Sequence, residues 1–237
     1  MFNTRNLHRK VDAKVETFGL IFDIDGVVVG SEDYQIMAWQ RLCSERKVDL
    51  ASTEVAARTC GTATEIASRL FGNRLSDQEL ALIVDRQTEL FCEVYRPHLR
   101  LIDGLKKFLD DARSANIPMA LACNSNTQII HFLLDSLYLN SYFKVYVTAE
   151  DIDRGKPYPD AHLKAALRLG LMPEDCIAFE GSEAGIDAAL RAGIKTFFVQ
   201  APGHLTTLNQ PNLIQEIADY RTLRPPLAYT YSKMITL

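Results

Sequence analysis

The chain has 237 residues, with 26 Lys+Arg against 30 Asp+Glu and a formal charge of −4. At 47% hydrophobic and 24% charged it has globular composition and ample core material, which excludes a disordered or collagen-like chain. The mild acidity gives no electrostatic reason to expect nucleic acid or a membrane as partner, and no apolar run nears the roughly 20 residues that cross a bilayer. Five scattered cysteines without CxxC spacing (Cys43, Cys60, Cys92, Cys123, Cys176) argue against a disulfide framework or a zinc cage and fit a reducing cytoplasm. The polar stretch MFNTRNLHRKVDAKVE lacks an apolar h-region, so no secretory signal is expected.

In chain order, residues 1–17 read as a polar leader. FGLIFDID (18–25) reads as a buried strand that ends in acidic residues and a turn at Gly26. Residues 33 to about 91 then show only three- and four-residue apolar spacing, which predicts a block of about four helices. One of them opens on a capping box formed by Ser76 and Glu79. After Pro97 the pattern alternates. Helices are expected at 101–116, 126–139, 159–170 and 182–193, the last two closed by Gly170 and Gly193. Strands are expected at 117–123, 142–150, 176–181 and 195–201. Strict alternation implies βαβ units, and hence a doubly wound, parallel-sheet, Rossmann-like α/β core. Its expected extent is residues 1–32 and 98–237, with residues 33–97 inserted as an all-helical cap. Ligands of such sheets sit beyond the carboxyl ends of the strands.

Four strand ends carry residues of chemical interest. Asp23 and Asp25 lie two apart, so both carboxylates point the same way and can share a divalent cation. Cys123-Asn124-Ser125-Asn126 precedes a helix, where backbone N–H groups can hold an anion. Lys156 sits on a loop stiffened by Pro157 and Pro159. Glu180 ends a further strand, ahead of Ser182. A hard-cation site beside an anion cradle and a lysine suits phosphoryl transfer, with a carboxylate attacking phosphorus. Each piece also has a plainer reading: a solvated turn, an exposed lysine, a helix cap at Ser182, a small buried apolar residue at Cys123.

FDIDGVVVGSE (22–32), ACNSN (122–126), GKPYPD (155–160) and FEGSEAGIDAALRAGI (179–194) together resemble the haloacid dehalogenase superfamily. The resemblance is to its branch of β-phosphoglucomutase and small sugar-phosphate phosphatases, and it covers roughly residues 18–200. It implies Asp23 as nucleophile, Asp25 as acid and base with a Mg²⁺-binding carbonyl, and Lys156 as the stabilising cation. It further implies Cys123, Asn124 and Ser125 around the phosphoryl group, and Mg²⁺ held by Asp23, Asp25 and Glu180. The implied substrate is a small phosphorylated metabolite, a sugar or sugar-acid phosphate; oligomeric state is left open. Asp25 disfavours dehalogenation.

Cys123 stands where the family has Ser or Thr, and Gly181 where it has a second acid. Gly30-Ser31-Glu32 replaces the common D-S-E and is expected to affect the hinge. These departures keep open a catalytically attenuated protein that binds a phosphorylated ligand. Gln35 replaces the mutase's cap histidine, favouring hydrolysis over the mutase reaction, while Tyr34 and Trp39 are expected to pack. Arg58 and Gly61 are candidate cap contacts to substrate. Hinges are expected near Gly30–Asp33 and Tyr95–Leu101. Gly181→Asp is expected to tighten Mg²⁺ if the backbone accepts a side chain there, with Glu183 a possible substitute ligand. The tail from about Gln210 is left open between an extra strand, a dimer contact and a loose end.

Overall fold

Gly19–Phe22 (β1) is apolar at every position because both of its faces are covered, as parallel strands require. In the computed structural model, which describes residues 18–200 and 211–225, β1 pairs with β2 (Met119–Ala122) on one side and β4 (Cys176–Glu180) on the other. With β3 (Val145–Val147), β5 (Lys195–Val199) and β6 (Leu213–Ile217) they form one parallel sheet in the order β3-β2-β1-β4-β5-β6. Strand order reverses between β1 and β4, so the crevice of such a sheet opens at their carboxyl ends.

Alternation along the strands sorts the two faces by size. Leu20, Phe22, Met119, Leu121, Ile177 and Phe179 point to one face. There Phe22, Phe179 and Phe197 stack across three adjacent strands at centroid distances of 4.9 and 5.1 Å. Helices α5 (Leu105–Ser114) and α6 (Thr127–Ser136) cover this face. Ile21, Ala120, Ala122, Ala178 and Cys176 point the other way, onto alanines of α7 (Asp160–Leu169) and α8 (Glu183–Arg191). Small residues on both partners bring these helices close to the sheet.

Between β1 and α5 the chain forms four helices, as the spacing predicts: α1 (Glu32–Glu45), α2 (Ser52–Ala56), α3 (Ala63–Phe71) and α4 (Asp77–Tyr95). The Ser76–Glu79 capping box opens α4, and α1 and α3 pack along it. Trp39 is buried within the apolar core and Tyr34 packs tilted against Tyr95 at 4.8 Å between ring centroids, so both pack as expected. The two connecting segments meet at an antiparallel bridge between Val29 and Leu101.

The strand expected at 142–150 shortens to Val145–Val147, because an edge strand with a single neighbour has few ladder partners. The tail supplies β6, the extra-strand alternative for that stretch. The polar leader 1–17 and the tail beyond residue 225 lie outside the described residues. Among the described residues no helix is long and apolar enough to cross a membrane.

Phe197 is fully buried on β5, away from the strand ends that carry chemistry. Phe197→Ala is expected to lower stability by about 3–5 kcal/mol, read as a lower urea midpoint at unchanged slope. A loss below about 1 kcal/mol would show that the stack contributes little.

Candidate active site

The turn after β1 is wound tightly, with the Val28 and Val29 amides donating to the Ile24 carbonyl. Gly26 adopts φ +76°, and its α-carbon faces Gly181 at the end of β4. This contact brings the β1 and β4 loops together at the mouth of the crevice. Asp23 and Asp25 both line a cavity of about 280 Å³ between the sheet and the helical insert. Asp23 accepts from the Lys156 ammonium at 2.8 Å, and the Ser31 hydroxyl donates to Asp25. Burial lifts Asp25 to about 7, with the Asp23 charge adding and the Ser31 bond opposing. Burial likewise lifts Asp23 to about 6, against the pull of Lys156.

Lys156 is buried, contrary to the exposed-lysine reading. Desolvation disfavours its ammonium, but Asp23 and Glu180 outweigh this and hold the group above the ordinary lysine range. Its nitrogen donates to both Glu180 oxygens at 2.9 Å. Its backbone amide donates to Asn124 Oδ1 at 2.9 Å, which ties the β2 loop to the lysine loop.

Two of the expected ligand residues belong elsewhere. Glu180 does not line the cavity. By strand alternation it points to the face of Ala178, under α7, where Lys156 and His162 Nε2 (2.6 Å) engage its carboxylate. Glu180 therefore holds the lysine, which it shares with its register neighbour Asp23. Cys123 is buried, and its thiol is directed to the carbonyl of Val147 at 3.5 Å. Burial, helped by the Asp23 charge, pushes that thiol far above the ordinary range, so Cys123 behaves as the small buried residue of the plainer reading. Asn124 and Ser125 do line the cavity. Ser182 lines it too, and also caps α8 by accepting from the Gly185 amide at 3.1 Å.

Within the insert, Gly61 lines the cavity at φ +99°, where a side chain would collide with Glu65. Arg58 does not reach the cavity: its guanidinium turns back along its own segment to the Glu54 carbonyl at 3.3 Å. The loop at Cys60–Thr62 rests directly on Gly155, where a Cβ would come within 2.9 Å of the Thr62 nitrogen. Farther along, Asn126 caps α6 through Oδ1 and donates from Nδ2 to Thr88 of α4 at 2.6 Å, a buried bond between insert and sheet. Gln87 donates to Gln35 at 2.9 Å, so the insert presents a neutral amide pair to the cavity. Lys156 is the one basic side chain lining the cavity among the described residues.

Sequence reasoning missed Ser31 as the partner of Asp25 and His162 as the partner of Glu180. Nothing in the spacing marks Ser31. For His162 a signal existed: the period of two puts Glu180 beneath α7, and His162 is the polar residue among that helix's buried alanines.

A family model described as haloacid dehalogenase-like hydrolase matches residues 20–199. The chain belongs to that family. It is 30% identical over 196 residues to hexitol phosphatase A of Escherichia coli, covering 83% of this chain and 89% of that protein. It is 29% identical over 180 residues to fructose-1-phosphate phosphatase YqaB of the same organism, covering 74% and 93%. Among solved structures, β-phosphoglucomutase from Clostridium difficile superposes with a TM-score of 0.79 over 93% of this chain and all of that one, at 23% identity. The chain thus falls in the branch expected from its motifs, and the shared fold extends through the insert.

The structure answers the question posed by Gly181. A Cβ there would overlap the Asp25 carbonyl oxygen and lie 3.1 Å from the Gly26 α-carbon, both of them backbone. The Asp25 and Gly181 loops touch too closely for a side chain, so the condition attached to the expectation for Gly181→Asp, that the backbone accept a side chain, is not met. That substitution is expected to lower stability by about 1–3 kcal/mol through overpacking, with no gain in Mg²⁺ affinity by titration calorimetry. Tighter binding at unchanged stability would show that the backbone yields.

Proposed function

We propose that the protein hydrolyses the phosphate monoester of a small, uncharged polyhydroxy metabolite. The observation that carries this reading is the placement of Asp23 against Lys156, with Asp25 beside it, at one wall of an enclosed cavity. The Asp23 carboxylate attacks phosphorus, forming an aspartyl-phosphate as the bond to the leaving oxygen breaks. Asp25, raised toward neutrality and oriented by Ser31, gives that oxygen its proton. It then takes a proton from the water that hydrolyses the intermediate and returns Asp23. Asn124 and Ser125, ahead of α6, face the phosphoryl oxygens, and Lys156 balances the charge at Asp23.

The donor set fits Mg²⁺ in a sparse form. The Asp23 carboxylate and the Asp25 carbonyl would hold it, with water where Gly181 supplies no side chain, since Mg²⁺ commonly keeps several waters and binds through one or two carboxylates plus substrate phosphate. When bound, the ion supplies charge neutralisation at the phosphoryl oxygens.

Beyond the phosphoryl group, the Gln35–Gln87 pair offers hydrogen-bonding groups suited to hydroxyls. Among the described residues the cavity has no second basic side chain to bind a second phosphate or a carboxylate. This favours a neutral sugar or polyol monophosphate over a sugar acid, and an amide pair cannot relay the proton that a mutase needs.

Phosphate release across a panel of sugar and polyol monophosphates, with Mg²⁺ and with chelator, tests the reading. Turnover is expected to require Mg²⁺, to vanish in Asp23→Asn with the fold intact, and to fall about 10²–10³-fold in Lys156→Ala. Tight binding of phosphorylated ligands without release would establish the attenuated, binding-only protein instead. Interconversion of hexose phosphates would establish a mutase.

A further inference from the structure

His162 is fully buried and takes no part in the chemistry above. Its Nε2 lies 2.6 Å from Glu180 Oε1, and its Nδ1 has no hydrogen-bond partner among the described residues. At that separation only one tautomer is tolerable. A lone pair on Nε2 would face a carboxylate lone pair, so Nε2 carries the proton and donates it. The buried Nδ1 lone pair is an unfavourable feature that a phenylalanine or leucine would not bring. The bond to Glu180 is what the imidazole supplies in exchange.

Glu180 is enclosed in turn. One oxygen meets His162 and Lys156, the other meets Lys156, and the Asp23 side chain adjoins the carboxylate. Behind the carboxylate stands Gly185 of α8, where a Cβ would collide with Oε2. The carboxylate therefore has a single seat, and the lysine nitrogen it holds lies 2.8 Å from Asp23. His162 follows Lys156 by six residues and lies in the first turn of α7, whose alanines face the small-residue side of the sheet.

We propose that His162 is a positioning residue: its Nε2–H seats Glu180 against the Lys156 ammonium and thereby fixes the cation that faces Asp23. The role rests on the phosphatase reading, because Lys156 acts there on the reacting group. Burial first, and then the Lys156 charge, push the imidazole down to about 3, with Asp23 opposing. The ring is accordingly a neutral donor.

The test compares His162→Phe, which keeps a ring and removes the donor, with His162→Gln, whose Nε2 restores one. With p-nitrophenyl phosphate as substrate, the Phe variant is expected to lose about 10–100-fold in kcat through misplacement of the cation, at a KM changed by less than about twofold. The Gln variant should recover most of that loss. A Phe variant that is folded and retains wild-type kcat overturns the proposal, even if its melting temperature falls, since a purely structural histidine would behave in that way.

A second measurement needs neither activity nor a variant that folds. Nitrogen-15 NMR of the wild-type imidazole is expected to show the neutral Nε2–H tautomer, with no titration between about pH 5 and 8. A ring protonated on Nδ1, or one that titrates in this range, overturns the proposal as well. Absence of wild-type turnover over the whole panel would sink the phosphatase reading and the positioning role that rests on it, while the ring spectrum would still report on the Glu180 bond.

Discussion

One ammonium group ties the molecule together at its reactive end. Lys156 binds Asp23 after β1 and Glu180 at the end of β4, and its backbone joins the β2 loop through Asn124. Moving these charges out of water is unfavourable, and such an arrangement persists only where the hydrogen bonds are nearly complete. Here three short bonds to the ammonium meet that condition. Loss of one partner would leave a bare charge in the interior. The same group thus sets local stability and the electrostatics of the crevice, so the lysine cannot be varied for one purpose without disturbing the other.

The alternation of strands and helices made the sheet legible, because parallel strands covered on both faces read as short apolar runs. The helical insert was legible from its three- and four-residue spacing. Asp23, Asp25 and Lys156 were legible as a set because all three fall at strand-to-loop junctions. Side-chain direction was not legible. Glu180 also sits at a strand end, and its carboxylate is engaged by Lys156 and His162 beneath α7. Cys123 follows β2 directly, yet its thiol finds the Val147 carbonyl. Arg58 lies near a loop that faces the cavity, and its guanidinium turns back along its own segment. Position in the chain indicates which end of the sheet a residue occupies; side-chain direction depends on neighbours that one sequence does not reveal.

The insert closes over the site through three kinds of contact. The Cys60–Thr62 loop rests on Gly155, Thr88 bonds Asn126 at the cap of α6, and the Val29–Leu101 bridge joins the two connections. The first two touch the loops that carry Lys156 and Asn124–Asn126. Separating insert from sheet would therefore loosen the walls of the cavity as well as admit water, which links solvent entry to the state of the cradle.

The unequal faces of the sheet carry a consequence for how the sequence can drift. The aromatic face can exchange one large side chain for another, since α5 and α6 stand off at a distance set by those rings. The alanine face has no such latitude. Ala161, Ala165 and Ala178 hold α7 close to the strands, and even one added methylene there would lift the helix whose first turn carries His162. Substitutions far from any reacting atom, and conservative by hydropathy, would thus be filtered by selection on turnover. Variation among homologues should be broad beneath the rings and narrow beneath the alanines.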